Sequence, residues 1–358
     1  MTAVLSIQGR RLLGWKSVQI VRSLETLSGS FTLSLTDRDP TTMRTFRVSP
    51  GNECTVSIGD QTVITGHVDA VRVNYDARNH ELEVVGRDSA GDLVDCSAAI
   101  TPGEWLDTGL EEIVNDLCSP FGIAVNVTGD AGEVFKKFRI ETGETVYEAI
   151  DRLCRFRALL AWSDGMGGIE IGSPERTQAS VTLEFGKNIL RATGVANWSD
   201  RHSEYTVLAQ QPAGEDMEAE EAFHLEAMSS DSSIQRHRPL VVVAEQGLDR
   251  AETQKRADWE ASIRAARSRQ IVVTVQGWRE NGESGALWDF GRVVRVEDQW
   301  LGFSGTLLVA SVAFSLSDAG TMTRLTLAPA EAFQPQLEEQ DQPATDSEDS
   351  GNSDWWTS

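Results

Sequence analysis

Both ends of this chain are built from short β-branched and aromatic runs, broken at close intervals by Gly, Asp, Asn and Pro, and no other feature constrains the fold as strongly. Within residues 1–96 the runs fall at Val4–Ile7, Trp15–Val21, Phe31–Leu35, Cys54–Ile58, Thr62–Val73 and Glu81–Val85. Phe31, Leu33 and Leu35 alternate with polar neighbours, as do Leu82 and Val84, the period of half-buried strands. Strands this closely spaced predict a small barrel or sandwich. Strand texture returns at Val181–Phe185, Ser203–Gln210, Leu240–Val243, Ile271–Trp278, Arg292–Val296, Leu307–Phe314 and Thr321–Leu327.

The stretch between these two parts has a different period. Ser89 with Asp92 predicts an acidic capping box on a short helical turn. Thr108 with Glu111 predicts a second box, opening a helix whose apolar stripe is Leu110, Ile113, Val114, Leu117 and Phe121 and whose C-cap is Gly122. A strand over Ala124–Val127 and a helix from Glu144 to Arg157 follow. Two strands, Leu159–Trp162 and Ile169–Ile171, are then joined by the glycine-rich turn Ser163–Gly168. That order describes a compact α+β unit. Farther on, an acidic stretch at Gly214–Glu221 is expected to be mobile. A long helix over Asp249–Arg269 carries its basic residues toward its C-terminus, where they complement the macrodipole.

Charge narrows the possible partners. Against 55 acidic residues stand 32 basic ones, a formal net charge of −23, with no block of Lys and Arg to release phosphate counterions. Stable DNA binding and attraction to anionic membranes are therefore not expected. The longest apolar runs, such as Ala158–Trp162 and Leu240–Ala244, are far shorter than the ~20 residues of a bilayer span, so no membrane insertion is expected. The N-terminus shows no signal peptide, which points to synthesis and folding in a cytoplasm. Residues 334–358 hold seven acidic residues, no Lys or Arg, and much Ser, Gln and Pro, the composition of a disordered tail.

Enzyme signatures are missing. Cys54, Cys96, Cys118 and Cys154 lie far apart with no C-x-x-C pair, so buried free thiols are expected. His67, His80, His202, His224 and His237 are scattered and fit structural or solvated roles. Gly165-Met166-Gly167-Gly168 follows a strand but has Glu170 three positions after Gly167, so it reads as a hairpin turn and not as a dinucleotide loop. Asp346 to Ser350 lacks the closing glutamate of a calcium loop, its place being taken by Thr357. No catalytic, cofactor-binding or metal-ligating residues are assigned, and no cofactor is expected. Most tryptophans fit packing roles, whereas Trp355 and Trp356 stand alone in the polar tail and are candidates for docking a partner.

Several segments, in order along the chain, resemble the baseplate hub protein of Mu-like contractile-tailed phages. They are Gly14-Trp15-Lys16-Ser17-Val18 to Ser23-Leu24-Glu25, Gly86-Arg87-Asp88 with Asp92-Leu93-Val94-Asp95-Cys96, and Leu117-Cys118-Ser119-Pro120-Phe121-Gly122. Glu144 to Ala149, Ser203-Glu204-Tyr205-Thr206-Val207, Arg236-x-Arg238-Pro239 and Leu327-Ala328-Pro329 continue the series to about residue 333. The acidic, Trp-ended tail departs from the family pattern.

The resemblance, which extends to T-even hub proteins, late control protein D and the base of the type VI secretion spike, implies a fold that is α+β and mainly β. Two tube-protein-like antiparallel β-barrels would flank an α/β middle region, and the chain would assemble as a pseudo-sixfold trimeric ring. Residues 1–96 would form the first barrel and 97–177 the α+β domain, joined by 212–270 with the long helix. Residues 178–211 and 271–333 would form a discontinuous second barrel, with 334–358 as the tail. The implied partners are two further copies, the central spike protein, the tail tube and other baseplate proteins, and the tape measure protein. The implied place is the virion's tail baseplate. Two alternatives from other classes are a tail-associated glycan hydrolase and a carbohydrate-binding module.

Overall fold

The computed structural model describes residues 2–36, 48–76, 80–174, 176–210, 223–247 and 250–334. The acidic stretch Gly214–Glu221 and the tail from 335 onward, with Trp355 and Trp356, lie outside the described residues.

The N-terminal strands are β1 (Ala3–Ile7), β2 (Arg10–Leu12), β3 (Ser17–Ser23), β4 (Ser30–Thr36), β5 (Glu53–Ile58), β6 (Gln61–Tyr75) and β7 (His80–Asp88). Alternation sets their faces: in β3, Val18 and Ile20 are buried while Ser17 and Gln19 are exposed. The middle region follows with α1 (Gly91–Asp95), β8 (Glu104–Thr108), α2 (Leu110–Cys118), β9 (Val125–Val127), β10 (Phe135–Arg139), α3 (Val146–Phe156), β11 (Leu160–Ser163) and β12 (Ile169–Gly172). Its helices bury Leu117, Ile113, Ile150 and Leu153 in one cluster with Phe135 and Ile171. The chain continues through β13 (Gln178–Glu184), β14 (Ile189–Ala196), β15 (Glu204–Gln210), β16 (Phe223–Ser230), β17 (Pro239–Gly247), α4 (Arg250–Arg267), β18 (Arg269–Gln276), β19 (Val293–Asp298), β20 (Phe303–Ser317) and β21 (Gly320–Ala328).

The two strand-rich ends do not form separate barrels. Among the described residues they make one 13-stranded sheet, in the order β14-β18-β21-β20-β3-β4-β7-β6-β5-β1-β2, with β19 bonded to β20 and β13 to β19, and no barrel closes. Strand β20 is the branch point. Along one side it pairs with β21 over its C-terminal ten residues, Leu308 to Ser317. Its other side takes β19 from Phe303 to Leu308 and then β3 from Ser311 to Leu316. The register shifts between Val309 and Ser311, and the Ala310 carbonyl there accepts from Leu24 N at 2.9 Å. One core runs through the joined sheet, with Ile20, Phe31 and Leu33 from one half and Val273, Phe314 and Leu325 from the other. Strand periodicity locates strands but does not name their neighbours, so this sharing of one edge was not readable from the pattern.

Other expectations shift locally. The strand at 204–210, assigned on sequence to the second barrel, instead lies at the centre of a small sheet, β16-β15-β17, against which α4 packs through Val207, Ala227 and Ala257. Thr108 does not cap α2: it ends β8, its Oγ1 donating to the Leu106 carbonyl at 2.9 Å, and Gly109 is the N-cap. The pairing of Thr108 with Phe135 of β10 takes it out of the helix start. Ser89 likewise donates to the Thr65 carbonyl at 3.2 Å, and Ala90 caps α1. The capping box that does form is Thr145 with Glu148, at the start of α3. Gly122 has φ +66°, as a C-cap glycine should, although it ends a 3₁₀ turn.

Cys54, Cys118 and Cys154 are buried, but Cys96 is exposed just after α1. Burial pushes the Cys54 and Cys118 thiols up to about 12 and raises Cys154 as well. A thiol reagent near pH 8 should therefore modify one cysteine per native chain, Cys96, and all four after denaturation. Rapid modification of two or more in the native protein would contradict this packing.

Candidate functional site

A polar site lies where the two sheet halves meet the middle region. Leu24, Trp162 and Leu308 form a buried cluster there, joined by Leu160, Phe290, Val293, Ala330 and Phe333. Arg22 extends from β3 across this cluster. Its Nη1 donates to Asp289 Oδ1 at 2.9 Å, its Nη2 donates to the Asp164 carbonyl at 3.2 Å, and its guanidinium lies 4.8 Å from the Phe290 ring centroid. One cation thus ties β3 to both the middle region and the second half.

Asp88, at the end of β7, supports the same junction from the other side. Its Oδ2 accepts from Gly29 N at 2.6 Å and its Oδ1 from Ser28 Oγ at 2.8 Å. Burial raises the Asp88 carboxyl from its ordinary value, opposed by hydrogen bonds from Ser163, Gly29 and Ser28 and by the charge of Arg22. Ser163 N also donates to the Leu27 carbonyl at 3.1 Å.

The glycine-rich turn is a hairpin turn, and it is also a contact. Asp164 Oδ1 accepts from Met166 N and Gly168 N, at 2.6 and 2.9 Å. Gly165, at φ +76°, lies so close to β6 that a Cβ would sit 2.6 Å from the Val63 carbonyl oxygen.

A second interlock holds the small sheet. Arg201, almost fully buried, binds Asp231 through Nε at 2.9 Å and also reaches Ser233. Arg238 N donates to Ser203 Oγ at 2.8 Å, and its guanidinium donates to the carbonyls of Trp198 and Ser199. Tyr205 is fully buried, its hydroxyl accepting from His202 N at 2.9 Å. The Ser203–Val207 and Arg236-x-Arg238-Pro239 segments singled out on sequence therefore meet in space. The segment from Glu144 to Ala149 supplies the box on α3, and Arg152 clamps Glu144 at 2.9 Å.

A cleft of about 230 Å³ beside α4 is lined by Asn197, Asp200, Trp259, Ile263, Arg264 and Arg267, together with Glu260 and Ser268. Glu260 is held between Arg256 and Arg264, and Ser268 donates to the Ala265 carbonyl at 2.7 Å. Among the described residues no three His, Cys, Asp or Glu side chains gather as a metal site, and no helix is long and apolar enough to cross a membrane. The docking candidates Trp355 and Trp356 lie outside the described residues. Arg22 and Asp88 were missed as a pair, because β3 and β7 become neighbours of the 160s turn only in three dimensions.

Asp88 yields a pH signature. A carboxyl raised in the folded state favours folding when protonated, so its contribution is full below 3.8 and is lost as pH rises through the folded value. The stability advantage of wild type over Asp88→Asn should shrink between about pH 3 and pH 6 in urea titrations. An advantage that grows over that range would contradict the assignment.

The chain was compared with known proteins. Residues 2–88 match the model of the Mu phage baseplate assembly protein GpP-like N-terminal domain, and residues 90–173 match the second domain of baseplate hub protein gp44-like. Residues 201–259 match the third domain of the tail protein NMB1110-like family, and 249–336 match the fourth domain of GpP. Baseplate hub protein gp44 of Escherichia phage Mu is 33% identical over 341 residues, 93% of this chain and 89% of its own. The 43 kDa tail protein of prophage MuSo2 from Shewanella oneidensis superposes with a TM-score of 0.83 at 35% identity, over 94% of this chain and 100% of its own. The tail protein of Neisseria meningitidis MC58 gives a TM-score of 0.78 at 26% identity, over 94% and 98%. With identity of that level along nearly the whole length, the chain belongs to the family of Mu-like phage baseplate hub proteins.

Proposed function

We propose that this hub protein assembles as a trimer that adapts a threefold central spike to a sixfold tail tube and lines part of the DNA channel in the virion's baseplate. The observation that carries this reading is the β20 branch, which fuses two strand-rich halves into one sheet and one core. Three such chains bring six strand-rich units on a threefold axis, which is what a three-to-six adaptor needs. The role is structural. The buried polar groups of the junction are spent on one another, and the relatives are named as tail and hub proteins.

Charge fits a conduit. Each copy carries −23, so DNA passing along the ring meets like charge instead of sites that release its counterions. The same charge opposes assembly, which must be outweighed by contact between copies. The spike protein, tail tube, other baseplate proteins and the tape measure protein are the partners this reading requires.

Light scattering on the purified full chain should give the mass of three copies over a range of concentrations. Gel shift at low salt should show no stable DNA complex. A hub of two or six copies, or tight DNA binding, would sink the proposal.

A further inference from the structure

In strand β17 the sequence and the single chain disagree about burial. Leu240-Val241-Val242-Val243-Ala244 is among the longest apolar runs in the chain, and β17 pairs in parallel with β15. A parallel strand of continuous apolar residues belongs where both faces are covered. Yet none of the five is buried, and Val241 and Val243 are 58% and 69% exposed. Helix α4 packs over β15 and β16, Gln254 donating to the Met228 carbonyl at 3.0 Å, and reaches β17 only along Val242 and Ala244. On the opposite face, the exposed Val241 and Met228 both pair with Thr206 of β15, flanking that buried threonine on either side.

The edge is open as well. Among the described residues β17 and β16 each bond only to β15, so the small sheet has an uncovered edge on both sides. Beyond Pro239 at its start, β17 carries no further Pro or Lys to blunt its edge, and an open apolar edge of that kind is a template for pairing with another chain. The two edges suit each other. Strand β16 has 8 residues and β17 has 9, and β16 runs antiparallel to β15 while β17 runs parallel to it. A rotation axis lying along the strands would bring β16 of one copy antiparallel to β17 of the next, the stronger ladder. Because the two edges differ, the contact is head-to-tail and can close a ring.

We propose that β17 of one copy pairs edge to edge with β16 of a second copy, satisfying the open backbone edge of Leu240–Ala244 and joining the small sheets around the assembly. This rests on the trimeric reading above. The test is Val241→Lys with Val243→Lys in the full chain, two exposed positions whose change leaves the single chain's core intact. Near-ultraviolet dichroism checks the fold. By light scattering, wild type should have the mass of three copies and the double variant the mass of one. Three copies in both would overturn the inference while leaving the trimer standing. Any wild-type state other than three copies would overturn the trimeric reading and this inference with it. Hydrogen exchange on wild type is independent of the variant. Every amide from 240 to 244 should be protected at least about tenfold, whereas alternate amides exchanging freely would show an unpaired edge.

Discussion

Strand β20 offers one side to two partners, and the rest of the molecule is arranged around that sharing. Its first part holds β19, which keeps the C-terminal half together, and its second part holds β3, which brings in the N-terminal half. The offset between Val309 and Ser311 separates the two uses of the edge, and the freed Ala310 carbonyl is taken by Leu24 N and Ser23 Oγ. Each ladder bond contributes only about 0.5–1.5 kcal/mol net. The continuous apolar core beneath, from Ile20 and Phe31 to Phe314 and Leu325, supplies most of the cohesion. Halves joined this way share one sheet and one core.

The middle region is attached to that body by a few specific groups. The Arg22 to Asp289 pair alone would contribute little, since Asp289 is nearly half exposed. It counts because the same guanidinium also caps the Asp164 carbonyl and covers Phe290, above the Leu24, Trp162 and Leu308 cluster. Asp88 and the close approach of Gly165 to Val63 fix the other side. The junction therefore has polar specificity over an apolar base.

Much of this was legible in the sequence, for identifiable reasons. Alternation in β3, β4 and β7 and the stripe of α2 located elements, because each has one buried face. Short elements with little pattern, such as β2, β8 and β10, were missed, because few residues carry no period. Thr108 and Ser89 misled, since a hydroxyl beside a helix start can equally serve a strand or a carbonyl across the fold. The junction is not legible as a site in the sequence, although Gly86-Arg87-Asp88 and the 163–168 turn stand out there, since only the fold brings them to Arg22. Partners of β20 and β15 were likewise beyond reach, because strand pairing is a long-range property.

Native-state hydrogen exchange tests most directly whether one shared edge makes the two halves a single body. If it does, the amides of β3 and β20 between Val18 and Leu316 will exchange only through global unfolding, with the same free energy as core amides at Val84 and Val273 in the two halves. Seam amides that open well below that free energy, with the halves unfolding in separate transitions, would contradict it.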